Sequence, residues 1–221
     1  MEKYLEQSLQ EDLKKIFANL VHPVKIIYFS TKEKCAYCTE ISELLGEVTD
    51  LSQKLLLETH DINEDSLLAK RYDVSEAPVF IITGMDGERE LDYRIRFYGM
   101  PGGHEFTSLI NDLLIVSHQD SGLQPETRQF LASLEQPVHL QVFVTPTCPY
   151  CPQAVVLAHQ MALESTRVTA DMIEAIEFPD LANHFNVSGV PHTAINLGAG
   201  TIIGGVPEEA LVSEIRKSLA V

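Results

Sequence analysis

Leu5, Leu9, Leu13, Ile16, Phe17 and Leu20 recur at helical spacing near the start of the chain, and Pro23 requires that helix to stop before it. A short apolar strand follows at residues 25–29, then the polar loop TKEKCAYC. Ile41, Leu44, Leu45 and Val48 return to the helical period as the chain leaves that loop. Residues 55–59 read as a second strand and 66–72 as a short helix. Residues 79–83 and 94–98 flank the turn-forming Met85-Asp86-Gly87-Glu88 and predict a hairpin, and a helix over 105–116 closes the set. The second half predicts a similar order: strand 139–144, helix 151–164, strand 167–173, helix 179–185, strands 192–197 and 200–203, helix 207–219. Helices alternating with strands, followed by a hairpin, indicate an α/β fold with a mixed sheet covered by helices.

The two halves match in residues as well as in pattern. Cys35 and Cys148 stand 113 positions apart, and the same shift lays RYDVSEAPVFII (71–82) on HFNVSGVPHTAI (184–195). Pro78 then falls on Pro191, and each proline lies 43 positions after its own first cysteine. Upstream, FANLVHPVKIIYF matches LASLEQPVHLQVF at a shift of 114, so the first copy has one extra residue in its cysteine loop. A C-x-x-C recurs by chance; a strand, a cysteine pair and a proline recurring together mark a duplication. The polar stretch SHQDSGLQPE (117–126) reads as a linker, which puts the units at 1–118 and 119–221. As copies on a short linker, they are expected to pack against each other.

Composition narrows the partners. The chain has 221 residues, 45% of them hydrophobic, and its 32 acidic residues outnumber 16 basic ones for a formal charge of −16. Such a surface repels a phosphate backbone and anionic lipid, so neither nucleic acid nor a membrane is an expected partner. MEKYLEQSLQEDLKKIF lacks the basic head and apolar run of an export signal, and no window is long and apolar enough to span a bilayer. A cytoplasmic location is therefore expected. Structural disulfides are uncommon there, so four cysteines in two C-x-x-C pairs point to catalysis or metal binding.

A cysteine attacks as thiolate, so a working site must favour negative charge while keeping the sulfur reachable. A strand running through a loop into a helix is expected to place the first cysteine at the helix N-terminus, where free N–H groups favour the thiolate. The second cysteine, one turn on, is placed to attack the mixed disulfide and release the substrate. Cys35 and Cys148 are thus the expected nucleophiles, and Cys38 and Cys151 the resolving thiols. Pro149 and Pro152 are expected in the first helical turn, where a missing N–H is harmless. Pro78 and Pro191, preceded by Ala77 and Val190, admit two readings. Each either opens an edge strand or carries a cis peptide that turns the preceding backbone toward the cysteines, where an extended substrate pairs with it.

Strand, C-x-x-C and a later Ala-Pro or Val-Pro before a hairpin resemble the thioredoxin fold, and CPYC is the dithiol motif typical of glutaredoxins. Two such units in tandem closely resemble the protein disulfide oxidoreductases of thermophilic bacteria and archaea. GGHEFTSLI (102–110) also resembles the two-unit N-terminal domain of the flavoprotein that reduces bacterial peroxiredoxin. The resemblance implies two tandem thioredoxin-like units, each a mixed β-sheet flanked by helices, and cis prolines at Pro78 and Pro191. It implies dithiol–disulfide exchange with protein substrates through Cys35/Cys38 and Cys148/Cys151, and substrate pairing at Ala77-Pro78 and Val190-Pro191. No bound metal or organic cofactor is expected. Electrons would come from a thioredoxin reductase-like flavoenzyme, and a peroxiredoxin is an alternative recipient.

The chain also departs from its relatives. Tyr28 and Val142 stand where thioredoxins bury an acid, so a proton leaving the second thiol needs another group or water. Lys34, beside Cys35, is a candidate for stabilising its thiolate. Zinc is the main rival for paired C-x-x-C motifs, but each pair here heads its own repeated unit and runs into an apolar helix. His184 and His192 lack the partner pattern of a Cys–His hydrolase. Glu11-Asp12 and Glu208-Glu209 read as first-turn helix charges. A redox-independent binding module or holdase is the reading from another class.

Overall fold

The computed structural model describes residues 4–33 and 35–220. Its elements run α1 (Gln7–Phe17), β1 (Val24–Ser30), α2 (Cys38–Thr49), β2 (Leu55–Asp61), α3 (Ser66–Arg71), β3 (Val79–Asp86), β4 (Arg89–Tyr98) and α4 (Glu105–His118). They continue with α5 (Pro125–Ala132), β5 (Val138–Val144), α6 (Cys151–Glu164), β6 (Val168–Glu174), α7 (Pro179–His184), β7 (His192–Ile195), β8 (Gly200–Ile203) and α8 (Glu208–Leu219). The helical and strand periods therefore mark the elements with ends moved by a few residues, except α5, which was not among those expected.

The strands form one mixed sheet in the order β2-β1-β3-β4-β6-β5-β7-β8. In each unit the first two strands pair in parallel and the first and third antiparallel, so β1-β2-β3 corresponds to β5-β6-β7. The units do more than pack: β4 and β6 pair in parallel, with Ile95, Arg96, Phe97 and Tyr98 abreast of Ala170, Asp171, Met172 and Ile173. One sheet thus runs through both units, which are two tandem thioredoxin-like folds sharing a seam.

Each face of that sheet is sealed differently. Tyr28, Phe80, Phe97 and Val142 face α2, α4 and α6, whose Leu45, Leu109 and Val155 are buried against them. On the other face Phe29, Phe143 and Ile173 meet the short helices, through Ala69 of α3 and Leu181 of α7. Phe80 and Phe97 stack across neighbouring strands at 4.7 Å between centroids. Burial of each such ring contributes about 1.5–3 kcal/mol.

Two expectations change. Leu9 and Ile16 are exposed, while Leu13 and Phe17 carry the buried stripe of α1. They lie on the flank of the apolar arc, turned from the core that Leu13 and Phe17 fill. The expected linker over 117–126 is shorter: α4 runs through His118, Gln119 caps it in the left-handed conformation, and Pro125 already opens α5. Pro125 suits that start because the first helical turn needs no N–H from it.

Candidate functional site

β1, β4, β6 and β5 all run the same way, so the loops that follow β1 and β5 leave from one edge of the sheet. Both feed helices on the same face. The two cysteine loops therefore open side by side, four strand spacings apart, about 19 Å at the usual ~4.8 Å per strand. Sulfurs held that far apart do not converge on one ion, and each pair is instead closed on itself. Cys35–Cys38 and Cys148–Cys151 are disulfides with Cα–Cα distances of 5.6 and 5.5 Å.

α6 starts at Cys151 as its period predicts, but the first cysteines do not sit at the helix N-termini. α2 begins at Cys38 and α6 at Cys151, so the second cysteine opens each helix and the first cysteine lies in the turn before it. In the second unit the cause is covalent. Pro152 has no N–H to donate to the Cys148 carbonyl, so the helical ladder cannot reach back that far. Pro152 does sit in the first turn, whereas Pro149 precedes the N-cap Tyr150.

The two sites also differ in depth. Cys148 is buried and Cys151 fully so, while Cys35 and Cys38 are half-buried. Lys34 lies outside the described residues.

Ala77-Pro78 and Val190-Pro191 are both cis. Phe29 pairs with Val79 and Phe143 with His192, so each cis proline stands at the strand end from which its cysteine loop leaves. The carbonyls of Pro78 and Pro191 accept equivalent bonds from Gly99 and Gly204, at 3.1 and 2.7 Å. Ala77 and Val190 remain half-buried beside them, so their backbone edge is reachable.

Tyr28, at the position lacking an acid, is fully buried and its hydroxyl donates to the Cys38 carbonyl at 2.9 Å. Burial, then the charges of Glu177 and Glu40, raise its pKa. His192 packs edge-to-face on Phe143, on the face opposite the cysteines, and burial lowers its pKa. His184 is exposed and lies against Phe185. Neither histidine serves a thiol.

Sequence reading missed an acid. Glu105, first residue of α4, is 1% exposed, and burial pushes its carboxyl up to about 7 against a hydrogen bond from Ser108 at 2.7 Å. It belongs to the first unit but stands next to the contact with the second unit's loop. His104 N–H bonds the Pro146 carbonyl at 3.0 Å, two residues before Cys148. Gly103 allows that approach: its φ is +57°, and a Cβ there would come within 2.2 Å of the Pro146 oxygen. The one available signal was Gly102-Gly103 ahead of an acid at a helix start. Across the seam, Glu177 accepts from Met100 N–H at 2.7 Å, and burial raises the carboxyls of Glu174 and Glu177.

Among the described residues no helix is long and apolar enough to cross a membrane, and no group of three or more His, Cys, Asp or Glu side chains converges as a metal site.

A thioredoxin domain model matches residues 138–217. A protein disulfide oxidoreductase from Aeropyrum pernix superposes with a TM-score of 0.88 at 29% identity, covering 97% of this chain and 93% of its own. The NTD_N/C domain of an alkylhydroperoxide reductase from Enterococcus faecalis shares the fold, with a TM-score of 0.86 at 24% identity over 96% of this chain and all of that one (100%). The F component of the alkyl hydroperoxide reductase of Escherichia coli is 28% identical over 192 residues, 87% of this chain but 34% of that protein. The chain thus spans about a third of the length of the curated relatives it matches. With both cysteine pairs in place, the chain is a tandem of two thioredoxin-like units with one C-x-x-C each, similar along nearly its whole length to a protein disulfide oxidoreductase.

Proposed function

We propose that this chain exchanges disulfides with protein substrates, using Cys35 and Cys148 as nucleophiles and Cys38 and Cys151 as resolving thiols. The carrying observation is that both pairs are closed as disulfides on one edge and one face of a shared sheet, each beside its own cis proline. The units are taken as 1–118 and 119–221, and the setting as the cytoplasm.

In the reducing direction, the Cys148 thiolate attacks one sulfur of a substrate disulfide, and the other leaves as thiolate and takes a proton. Cys151 then loses its proton, attacks the Cys148 sulfur and expels the second substrate thiolate, closing Cys148–Cys151. The substrate gains two electrons and the dithiol loses two. Cys151 is buried away from water, so its proton needs an acceptor inside; Glu105 supplies it, held near neutrality by burial. An extended substrate strand pairs with the backbone at Ala77-Pro78 or Val190-Pro191. A thioredoxin reductase-like flavoenzyme returns the electrons.

The test is dithiothreitol-driven reduction of insulin by the parent, Cys35→Ser, Cys148→Ser and the double variant. Activity in the parent and none in the double variant supports the reading. An inactive parent overturns it, as does full activity in the double variant.

The names of the curated relatives favour a second reading, in which the chain carries electrons to a peroxiredoxin. A cognate peroxidase reduced far faster than insulin would select it.

A further inference from the structure

The core between the units contains a row of polar groups. Glu105, Ser108 and Asp112 follow one another at helical spacing on α4, and Cys151, Val155 and His159 do so on α6. All six are buried. Asp112 Oδ2 lies 2.6 Å from His159 Nδ1, and Ser108 donates to Glu105 Oε2. β4 closes the row with the uncharged Phe97, whose ring centre is 5.0 Å from that of His159.

Three atoms of the row have no protein hydrogen-bond partner among the described residues: Glu105 Oε1, Asp112 Oδ1 and His159 Nε2. Leaving such atoms unpaired costs about 1–3 kcal/mol each, and apolar residues of similar shape would make the same helix contact without that cost. Packing alone therefore does not account for the row. Its two ends do: one is the resolving thiol, the other a pair that holds a proton between nitrogen and oxygen.

We propose that Asp112 and His159 are positioning residues for the second dithiol, setting the charge around Glu105 so that it exchanges a proton with Cys151. The proposal rests on the dithiol role given above to Cys148 and Cys151. During resolution the Cys151 S–H bond breaks, Glu105 takes the proton, the new sulfur–sulfur bond forms to Cys148, and the departing thiolate is reprotonated. The Asp112–His159 pair neither gains nor loses electrons; it biases which oxygen or sulfur holds the proton. Asp112 and His159 act on Glu105 in opposite senses, the carboxylate favouring its neutral form and the imidazole its ionised form. His159 acts on Asp112 in turn. Cys148, Cys151 and the exposed Tyr150 are titratable side chains at this end of α6.

The experiment uses the full chain with Cys35→Ser and Cys38→Ser, reduced and mixed with 5,5′-dithiobis(2-nitrobenzoate). Attack by Cys148 releases one thionitrobenzoate and resolution by Cys151 the second, so the slow phase is followed against pH. Asp112→Asn is expected to lower the midpoint of that phase and His159→Gln to raise it, each by about half a unit or more. With Glu105→Gln added, neither shift remains. Unmoved midpoints, shifts of the same sign, or shifts that survive Glu105→Gln overturn the proposal.

Should a variant fail to fold, the unsubstituted His159 ring is followed by NMR at fixed pH. Its resonances are expected to differ between the oxidised and reduced dithiol, and identical spectra overturn the proposal. A missing second release before any of these substitutions refutes the dithiol reading itself, which is a different failure from an unmoved midpoint.

Discussion

Arg96 and Asp171 stand abreast across the β4–β6 seam, one from each unit, with Arg96 Nε 3.5 Å from Asp171 Oδ1 and both side chains buried. His139 Nε2 approaches the other oxygen of Asp171 at 2.5 Å. The seam is therefore tied by charge as well as by backbone pairing, and the two units share it as a common element.

Among the described residues, removing Asp171 leaves the buried Arg96 with only the exposed Asp73 as a counter-charge. Asp171→Leu is expected to cost about 3–5 kcal/mol, whereas Arg96→Met/Asp171→Leu recovers most of that loss. Urea midpoints of the parent, both single variants and the pair give the coupling. Additive losses would show that the seam does not depend on this pair.

The depth of the two sites predicts an order of opening. Cys35–Cys38 is half-buried and Cys148–Cys151 buried, so a limiting amount of tris(2-carboxyethyl)phosphine should open the first pair several-fold faster. Alkylation and peptide mass spectrometry read the order. Equal rates would mean that the second loop opens readily in solution.

Glu105 predicts a pH dependence of stability. Its carboxyl is raised to about 7 when folded, so the folded chain binds the proton more tightly than the unfolded one. The protonated acid is tolerated at low pH, and stability falls as pH rises from the unfolded value to about 7, then levels. The loss is roughly 3 kcal/mol. Glu105→Gln should flatten that slope and be the more stable form at pH 8, while slowing resolution by Cys151 about 100-fold. An unchanged slope by urea titration at pH 5 and 8 would remove Glu105 from the account.

Gly103→Ala tests the contact between α4 and the second cysteine loop. The added Cβ would meet the Pro146 oxygen at 2.2 Å in a backbone region that side chains rarely adopt. A loss of about 1–3 kcal/mol is expected, with slower exchange at Cys148–Cys151 and little change at Cys35–Cys38. Equal effects on both sites would show that Gly103 acts on the whole sheet.

The duplication, the elements and the four cysteines were legible in the residues, because apolar period, turn chemistry and motif spacing are local properties of the chain. KIIYF and HLQVFV announce strands wherever they fold, and Cys148 and Cys151 are three apart whatever surrounds them. The span of α6 was legible, but Cys148 lies in the turn before it rather than at its N-terminus, since a Pro152 that suits a first turn also denies Cys148 its helical bond. Glu105 was legible only as an acid at a helix start behind Gly102-Gly103. It lies 43 positions before Cys148 in the other unit, and only the pairing of β4 with β6 swings α4 against α6 and its loop. The same pairing set Asp112 against His159 and Arg96 beside Asp171. Sequence determines what each unit is made of; which unit's acid meets which unit's thiol depends on a seam between distant strands, and no local pattern encodes that distance.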